Sequence, residues 1–247
     1  MSDRVQYIEL TPREFLARLK ETPIAYLPLG TLEWHGEHLP LGSDGIQSRG
    51  FLTELAQRVG GVVLPMLFLG PEMYSIIDGA EYFQMDVSPT VGPKPKQLTG
   101  SMHHIHHNLF AQYLESILFQ LRRAGFRIVV AHGHGPSTGL FRANMEKWGK
   151  KFDLKLFHCW REDESDGLGI QTDHAAANET SLVMALRPDL IRMENLDPRP
   201  EVWPVAIHGK DPRTYASAEL GRRAIDMQLE RMAGILKDAL ESLRSSS

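Results

Sequence analysis

Short apolar runs alternate with helix-like segments along the chain, and this alternation constrains the fold more than any other feature of the sequence. Strands that alternate with helices form a largely parallel sheet with helices on both faces. The sequence therefore predicts one α/β domain over residues 1–247, with a mostly parallel sheet flanked by helices. The expected strands are 24–29, 62–68, 126–131 and 154–158, and the expected helices are 12–20, 44–59, 101–124, 138–150, one that ends at 186, and 216–243.

Local capping signals predict where several helices begin. Thr11 and Glu14 form a capping-box pattern, and Asp44 and Ser101 are the expected N-caps of the next two long helices. Four histidines then fall in the first turns of the helix that follows Ser101, on several faces, so no single metal site takes all of them. They are His103, His104, His106 and His107.

Residues 70–98 interrupt the alternation with several prolines and glycines and show no helical period. Loops of this length are uncommon in compact domains and are often functional. We therefore expect residues 70–100 to form a substrate loop or lid, with short strands at most.

Charge and composition exclude several classes of protein. The formal net charge is −4, which does not favour a nucleic-acid-binding protein. No apolar run approaches the ~20 residues of a membrane helix, and the N-terminus lacks the pattern of a signal peptide. Cys159 is the single cysteine, so no internal disulfide forms, and a cytoplasmic location is expected.

The loop after the first predicted strand is the most informative motif. Between residues 33 and 44 it carries Glu33, His35, Glu37, His38 and Asp44. Loops at the carboxyl ends of strands form the usual ligand site of an open α/β sheet. Glutamate and histidine in this spacing suit divalent cations such as Zn²⁺ and Mn²⁺, and Asp44 can bridge two such ions.

Two further loops carry the same types of side chain. One holds His132 and His134, and the other holds Asp173, His174 and Glu179. Because loops after parallel strands meet at one edge of the sheet, we expect the side chains of all three loops to converge. In two-metal hydrolases such ligands hold two ions about 3.5–4 Å apart. A further histidine then carries a proton to the leaving nitrogen.

Together these motifs resemble those of the creatininase (creatinine amidohydrolase) family, over roughly residues 24–220. The first loop, Gly30-Thr-Leu-Glu33-x-His35-Gly-x-His38-Leu-Pro-Leu-Gly-x-Asp44, matches the family signature. The other matches are Gly133-His134-Gly135, His174-x-x-x-x-Glu179-Thr-Ser181, Pro188-Asp189-Leu190, and the weaker pair Gly209-x-Asp211-Pro212 and Ala216-Ser-Ala-Glu219-Leu-Gly221.

The resemblance implies a three-layer fold and a binuclear metal centre. Glu33, His35, Asp44 and His134 fall at metal-ligand positions, with Asp44 as the bridge, and Glu179 is the expected remaining carboxylate ligand. The implied cofactors are two divalent ions per chain, zinc or manganese or both. Iron also suits this ligand set.

The same resemblance implies hydrolysis of a C–N bond in a small cyclic or linear amide. A hydroxide that bridges the two metal ions attacks the carbonyl group, and the metals stabilise the oxyanion. His174 falls at the position of the catalytic histidine that protonates the leaving nitrogen, and Asp173 is expected to orient it. Relatives assemble as hexamers, so a homo-oligomer with a small-molecule amide substrate is expected.

This chain departs from the family pattern at Pro136, where creatininase itself has a metal-binding glutamate. The departure gives Glu179 more weight as a ligand and disfavours creatinine as the substrate. His132 replaces the family's asparagine and is expected to add a ligand or to line the substrate pocket, where we also expect Ser101 and Trp160.

His38 is expected to orient its loop or to hydrogen-bond a ligand carboxylate rather than to bind metal. Two alternative functions also fit the sequence. In the first alternative, the chain is a formamide deformylase or peptidase-like member of the family. In the second, it is a non-catalytic metal- or small-molecule-binding protein on the same scaffold. His174 at the catalytic position disfavours the second alternative.

Overall fold

Four parallel strands form the central sheet of the computed structural model, which describes residues 4–161 and 166–245. These strands are β1 (Ile24–Leu29), β2 (Val62–Val63), β5 (Ile128–Gly133) and β6 (Lys155–Phe157), in the order β2-β1-β5-β6, and a separate antiparallel hairpin contains β3 (Tyr74–Ile77) and β4 (Ala80–Phe83). The helices are α1 (Pro12–Glu21), α2 (Ser43–Val59), α3 (His107–Ala124), α4 (Gly135–Phe152), α5 (Ala177–Leu186), α6 (Pro212–Tyr215) and α7 (Ala218–Ser245). Within the described ranges, no helix has the length and hydropathy needed to cross a membrane.

Strand β1 is buried along its whole length and separates two apolar cores. Successive side chains of a strand point to opposite faces of the sheet. Ile24 and Tyr26 accordingly pack into the core formed with α2, α5 and α7, whereas Ala25, Leu27 and Leu29 pack into the core formed with α3 and α4. The predicted mostly parallel sheet between two helical layers is confirmed.

The predictions for β1 and α1 agree closely with the structure. β1 has the predicted bounds, and the Thr11 side chain accepts a hydrogen bond from the Glu14 backbone while the Glu14 carboxylate accepts one from the Thr11 backbone. The prediction of a strand over 62–68 is wrong beyond Val63. Pro65 has no N–H and interrupts the ladder, although Leu67 N still donates to Pro28 O at 3.1 Å.

Helix α3 begins at His107, so the prediction that Ser101 caps it is wrong. The preceding residues are extended and pair with other loops, since Met102 N donates to Leu32 O at 2.8 Å. His103 has a φ of 66°, which an α-helix does not accommodate. Three of the four clustered histidines therefore lie before the helix.

Two other helices begin earlier than predicted. Gly42, not Asp44, is the N-cap of α2, and Asp44 lies in the first turn. Helix α4 begins at Gly135, directly after β5, which extends two residues further than predicted. Both shifts place candidate metal ligands immediately at the carboxyl edge of the sheet.

The segment expected to be a loop or lid with short strands at most contains a two-stranded hairpin. Strands β3 and β4 are joined by Asp78 and Gly79, whose φ angles are 52° and 79°. Positive φ at both central residues is typical of the type I′ turn that Asp-Gly sequences favour. The Asp86 carboxylate accepts hydrogen bonds from the backbone of Phe83 and Leu98, at 2.9 and 2.7 Å, and holds the rest of the segment against the hairpin.

Helices α5 and α7 approach closely at Gly221, where a Cβ would lie 1.8 Å from Ser181 O. We expect Gly221→Ala to lower the free energy of unfolding by about 1–3 kcal/mol, because overpacking forces the two helices apart. Gly234→Ala on the same helix is the matched control, since its Cβ would meet no described neighbour within 4 Å, and it should stabilise by up to about 1 kcal/mol. Thermal unfolding compares the variants, and an undiminished Tm for Gly221→Ala would contradict this packing.

Candidate metal centre

The three acidic and imidazole loops surround one cavity of about 520 Å³ at the carboxyl edge of the sheet. Glu33 and His35 follow β1, Asp44 lies at the start of α2, and His134 lies between β5 and α4. The third loop supplies Asp173 and His174, and Glu179 lies in the first turn of α5. The structure therefore brings the three loops together as predicted, with His132 as the exception among their expected site residues.

Gly133 brings His134 close to the end of β1. Its φ is 146°, and a Cβ at this position would lie 1.7 Å from Leu29 O. Only glycine readily adopts this conformation and permits such a close backbone approach. The neighbouring strands can then present side chains to the same cavity.

Two groups of potential ligands share one carboxylate. Glu33, Asp44 and His134 form one group, and His35, Asp44 and Glu179 form the other, with the ligand atoms of each group within 4.8 Å of one another. His35 Nε2 lies 3.4 Å from Asp44 Oδ1 and 3.5 Å from Glu179 Oε2. Asp44 therefore stands between the two groups, as a bridging ligand would.

The imidazole orientations fit a bound metal. His35 Nδ1 faces Glu33 O at 3.3 Å and His134 Nδ1 faces Ser137 Oγ at 3.0 Å, which directs both Nε2 atoms toward the carboxylates. His35 Nε2 is fully buried and has no hydrogen-bond partner among the described residues. Buried polar atoms normally have partners, and metal-ligating histidines commonly fix their other nitrogen in this way.

The electrostatics also favour a bound cation. Burial raises the pKa of Glu33 and of Glu179 well above the ordinary range, and the nearby Asp44 carboxylate adds to the effect. Burial disfavours a charged His35, but the Asp44, Glu179 and Glu33 carboxylates outweigh it and raise the pKa of His35 to about 10. With every carboxylate ionised the cluster would hold more negative charge than His35 neutralises, so it takes up protons or a cation.

His174 presents one ring nitrogen to this cluster. Its Nε2 donates to Trp34 O at 2.8 Å, and its Nδ1 lies 4.0 Å from Glu33 Oε1. The ring stacks on His35 with 4.3 Å between centroids. Burial, reinforced by the charge of His35, lowers the pKa of His174 to about 3, so the imidazole is neutral and its Nδ1 is available as a hydrogen-bond acceptor.

Asp173 lies beside the same cavity but does not orient His174 as expected. Its carboxylate accepts hydrogen bonds from the backbone N–H groups of Asn178 and Glu179, at 2.8 and 3.1 Å. It thereby fixes the start of α5. The Trp34 carbonyl instead holds the His174 ring.

The structure does not bring His132 to the cavity surface. The side chain is fully buried, its Nε2 faces Ile170 O at 3.2 Å, and its Nδ1 accepts from Cys159 N at 3.3 Å. Burial lowers its pKa to about 3. Both ring nitrogens are therefore engaged away from the candidate ligands.

Two other expected pocket residues lie outside this cavity. Ser101 Oγ accepts from Trp34 N at 3.4 Å and braces the loop after β1. Trp160 contacts the outer edge of His132 and lines a different cavity. His38 Nε2 pairs with Thr180 Oγ1 of α5 at 2.8 Å, a contact that fits the first of the two roles expected for it, orienting the loop.

Two residues at the cluster were missed by the sequence analysis. The Glu72 side chain is 2% exposed and its Oε2 lies 3.4 Å from His134 Nε2. Gln171 donates through Nε2 to Asp44 Oδ1 at 3.0 Å and orients that carboxylate. Neither belongs to a recognisable motif, and the acidic character of Glu72 within the expected lid was the only available signal.

Pro136 lines the same cavity and offers no ligand atom.

Comparison with known proteins gives a consistent result. The family model described as "Creatininase: Creatinine amidohydrolase" matches residues 8–236. The creatinine amidohydrolase of Pseudomonas putida is 25% identical over 251 residues, covering 90% of this chain and 90% of that protein. The 3-dehydro-scyllo-inosose hydrolase of Thermotoga maritima is 22% identical over 284 residues, covering 96% of this chain and 84% of that protein.

Solved structures share the fold. A creatinine amidohydrolase (creatininase) crystal structure matches with a TM-score of 0.75 and 21% identity, covering 96% of this chain and 98% of that one. Creatininases described as a Zn–Zn type and as an Mn form each match with a TM-score of 0.73. At these identities the likeness establishes the architecture alone.

Proposed function

The chain belongs to the creatininase family, and from this premise we propose that it is a metal-dependent amidohydrolase that cleaves a C–N bond in a small amide. One observation carries the proposal. Two buried ligand groups share Asp44, and the Nε2 of His35, in one of these groups, has no hydrogen-bond partner among the described residues.

The residues of the two groups would hold two divalent ions. Glu33, Asp44 and His134 would bind one ion, and His35, Asp44 and Glu179 would bind the other. Zinc and manganese fit these oxygen and nitrogen ligands, as does iron, and related creatininases exist in Zn–Zn and Mn forms. When bound, such ions polarise a carbonyl oxygen and make water a stronger nucleophile at neutral pH.

His174 is the proposed general acid and base. Because the Trp34 carbonyl fixes its Nε2–H, a proton taken up from the attacking water goes to Nδ1, which faces the cluster. Burial disfavours the imidazolium form, so the proton is readily passed on to the leaving nitrogen. We assign Asp173 to positioning Glu179 through the helix start it secures.

The cavity favours a small polar substrate. Its lining includes Gln84, Ser88 and His208, and Ser88 Oγ lies 2.7 Å from His208 Nε2. These groups can hydrogen-bond a substrate's amide or hydroxyl groups. A cyclic polyol ketone is the second candidate, favoured by the similarity to the 3-dehydro-scyllo-inosose hydrolase. Assembly as a homo-oligomer remains a prediction.

A substrate panel tests the proposal. The protein loaded with Zn²⁺ or Mn²⁺ is incubated with creatinine, small cyclic amides, linear formamides and 3-dehydro-scyllo-inosose, and products are followed by mass spectrometry. We expect hydrolysis of at least one amide, lost on treatment with a chelator and restored by metal. Turnover of the inosose alone would favour the second candidate, and metal-independent turnover would contradict the proposed role of the metal centre.

A further inference from the structure

Glu72 is a buried acidic side chain that reaches the cluster from outside the three motif loops. Its Oε2 lies 3.4 Å from His134 Nε2, and its Oε1 accepts a hydrogen bond from Met73 N at 2.7 Å. A buried carboxylate requires compensation by hydrogen bonds or by positive charge. The Met73 N–H satisfies Oε1 of Glu72, and Oε2 is left facing the His134 imidazole.

Glu33 and Glu72 face the same imidazole nitrogen. Glu33 Oε1 lies 3.7 Å from His134 Nε2, and both carboxyl groups are buried. The Nδ1 of His134 faces Ser137 Oγ at 3.0 Å, so only Nε2 is available to both acids. Two buried carboxylates in this arrangement need a cation between them or a shared proton.

The spacing of Glu72 and His134 is that of two ligands around one ion. Metal–ligand bonds of about 2.0–2.2 Å place neighbouring ligand atoms of a tetrahedral zinc site about 3.4 Å apart. The separation of Glu72 Oε2 from His134 Nε2 is 3.4 Å. We propose that Glu72 completes the ligand set of Glu33, Asp44 and His134, an assignment that rests on the proposed metal centre.

This assignment links the metal to the hairpin. Glu72 lies two residues before β3, and the chain just ahead of it is held by Ile105 N, which donates to Gly70 O at 2.9 Å. On its far side Glu72 lines a second cavity of about 340 Å³, together with Phe83 and His104. Metal binding by Glu72 would therefore restrain the hairpin over 74–83.

Zinc binding by the full-length apoprotein tests the assignment, with a chelator of known affinity as competitor. We expect wild type to bind two equivalents. Glu72→Gln should weaken one site by at least about tenfold, the effect usual for groups that support a metal ligand, and leave the other unchanged. Glu81→Gln is the matched control, because this exposed glutamate lies on the same hairpin, and it should behave like wild type.

Hydrogen exchange of the 74–83 amides gives a second readout, independent of activity. Zinc should slow exchange in wild type and in Glu81→Gln but have little effect in Glu72→Gln. If wild type binds two ions and Glu72→Gln binds both with wild-type affinity and protection, the assignment of Glu72 is overturned while the proposed function stands. If wild type binds no zinc, the proposed metal centre fails and the assignment fails with it.

Discussion

Replacing Asp44 with asparagine is expected to remove both metal ions and to abolish turnover. Asp44 is the residue common to the two ligand groups, and its side chain is almost fully buried between them. Asparagine has nearly the same shape but lacks the negative charge that a bridging ligand supplies. Because metal catalysis contributes several kcal/mol to transition-state stabilisation, the loss in kcat/KM should be at least about a thousandfold.

Elemental analysis and kinetics measure the two effects on the same preparations. Glu37→Gln is the matched control, because Glu37 belongs to the same loop and is exposed, and it should retain both ions and activity. Thermal unfolding of the apoproteins shows whether Asp44→Asn still folds. A variant that folds, binds two ions and turns over substrate would contradict the bridging role.

Replacing His174 with alanine is expected to remove turnover while leaving the metal content intact. The loss of a general acid and base costs about 10²- to 10⁴-fold in rate. The ring offers Nδ1 to the cluster and is held by the Trp34 carbonyl, and both features suit proton transfer. The exposed His107 at the start of α3 supplies the control, and His107→Ala should match wild type in rate and metal content.

The result for His174→Ala distinguishes the two roles that the geometry of this residue allows, metal ligand and general acid and base. Glu33, His35 and His174 also form a group of potential ligand atoms within 4.8 Å of one another. If alanine removes turnover and one equivalent of metal together, His174 is a ligand rather than the acid and base. Unchanged turnover would contradict both roles.

Much of the fold could be predicted from local sequence because its signals are local. The apolar run of β1 and the capping box of α1 each specify their own boundaries, and the structure reproduces them. Ser101 shows the limit of such signals. It resembles an N-cap, but the adjoining segment pairs with the loop after β1, so tertiary hydrogen bonds override the local preference.

The placement of His132 was predictable in principle. β5 continues through Gly133, and the two-residue period of a strand then puts His132 on the same face as Ile128 and Val130, toward the core formed with α7. Because the predicted strand ended at residue 131, this periodicity was not applied to His132. A longer strand would have removed His132 from the expected pocket.

Glu72 could not be predicted in the same way. Its position depends on the pairing of Gly70 with residues 103–105, which are distant in sequence and carry no pairing motif. The motif-borne ligands differ because each lies in a loop directly after a strand or in the first turn of a helix at the sheet's carboxyl edge. Topology alone brings those residues together, whereas Glu72 requires the detailed tertiary structure.

Anomalous diffraction from a crystal of the zinc-loaded protein, measured above the zinc absorption edge, tests the binuclear centre most directly. The account predicts two peaks per chain about 3.5–4 Å apart, one among Glu33, Asp44 and His134 and the other among His35, Asp44 and Glu179. A single peak away from Asp44, or no peak in this cavity, would contradict the binuclear centre.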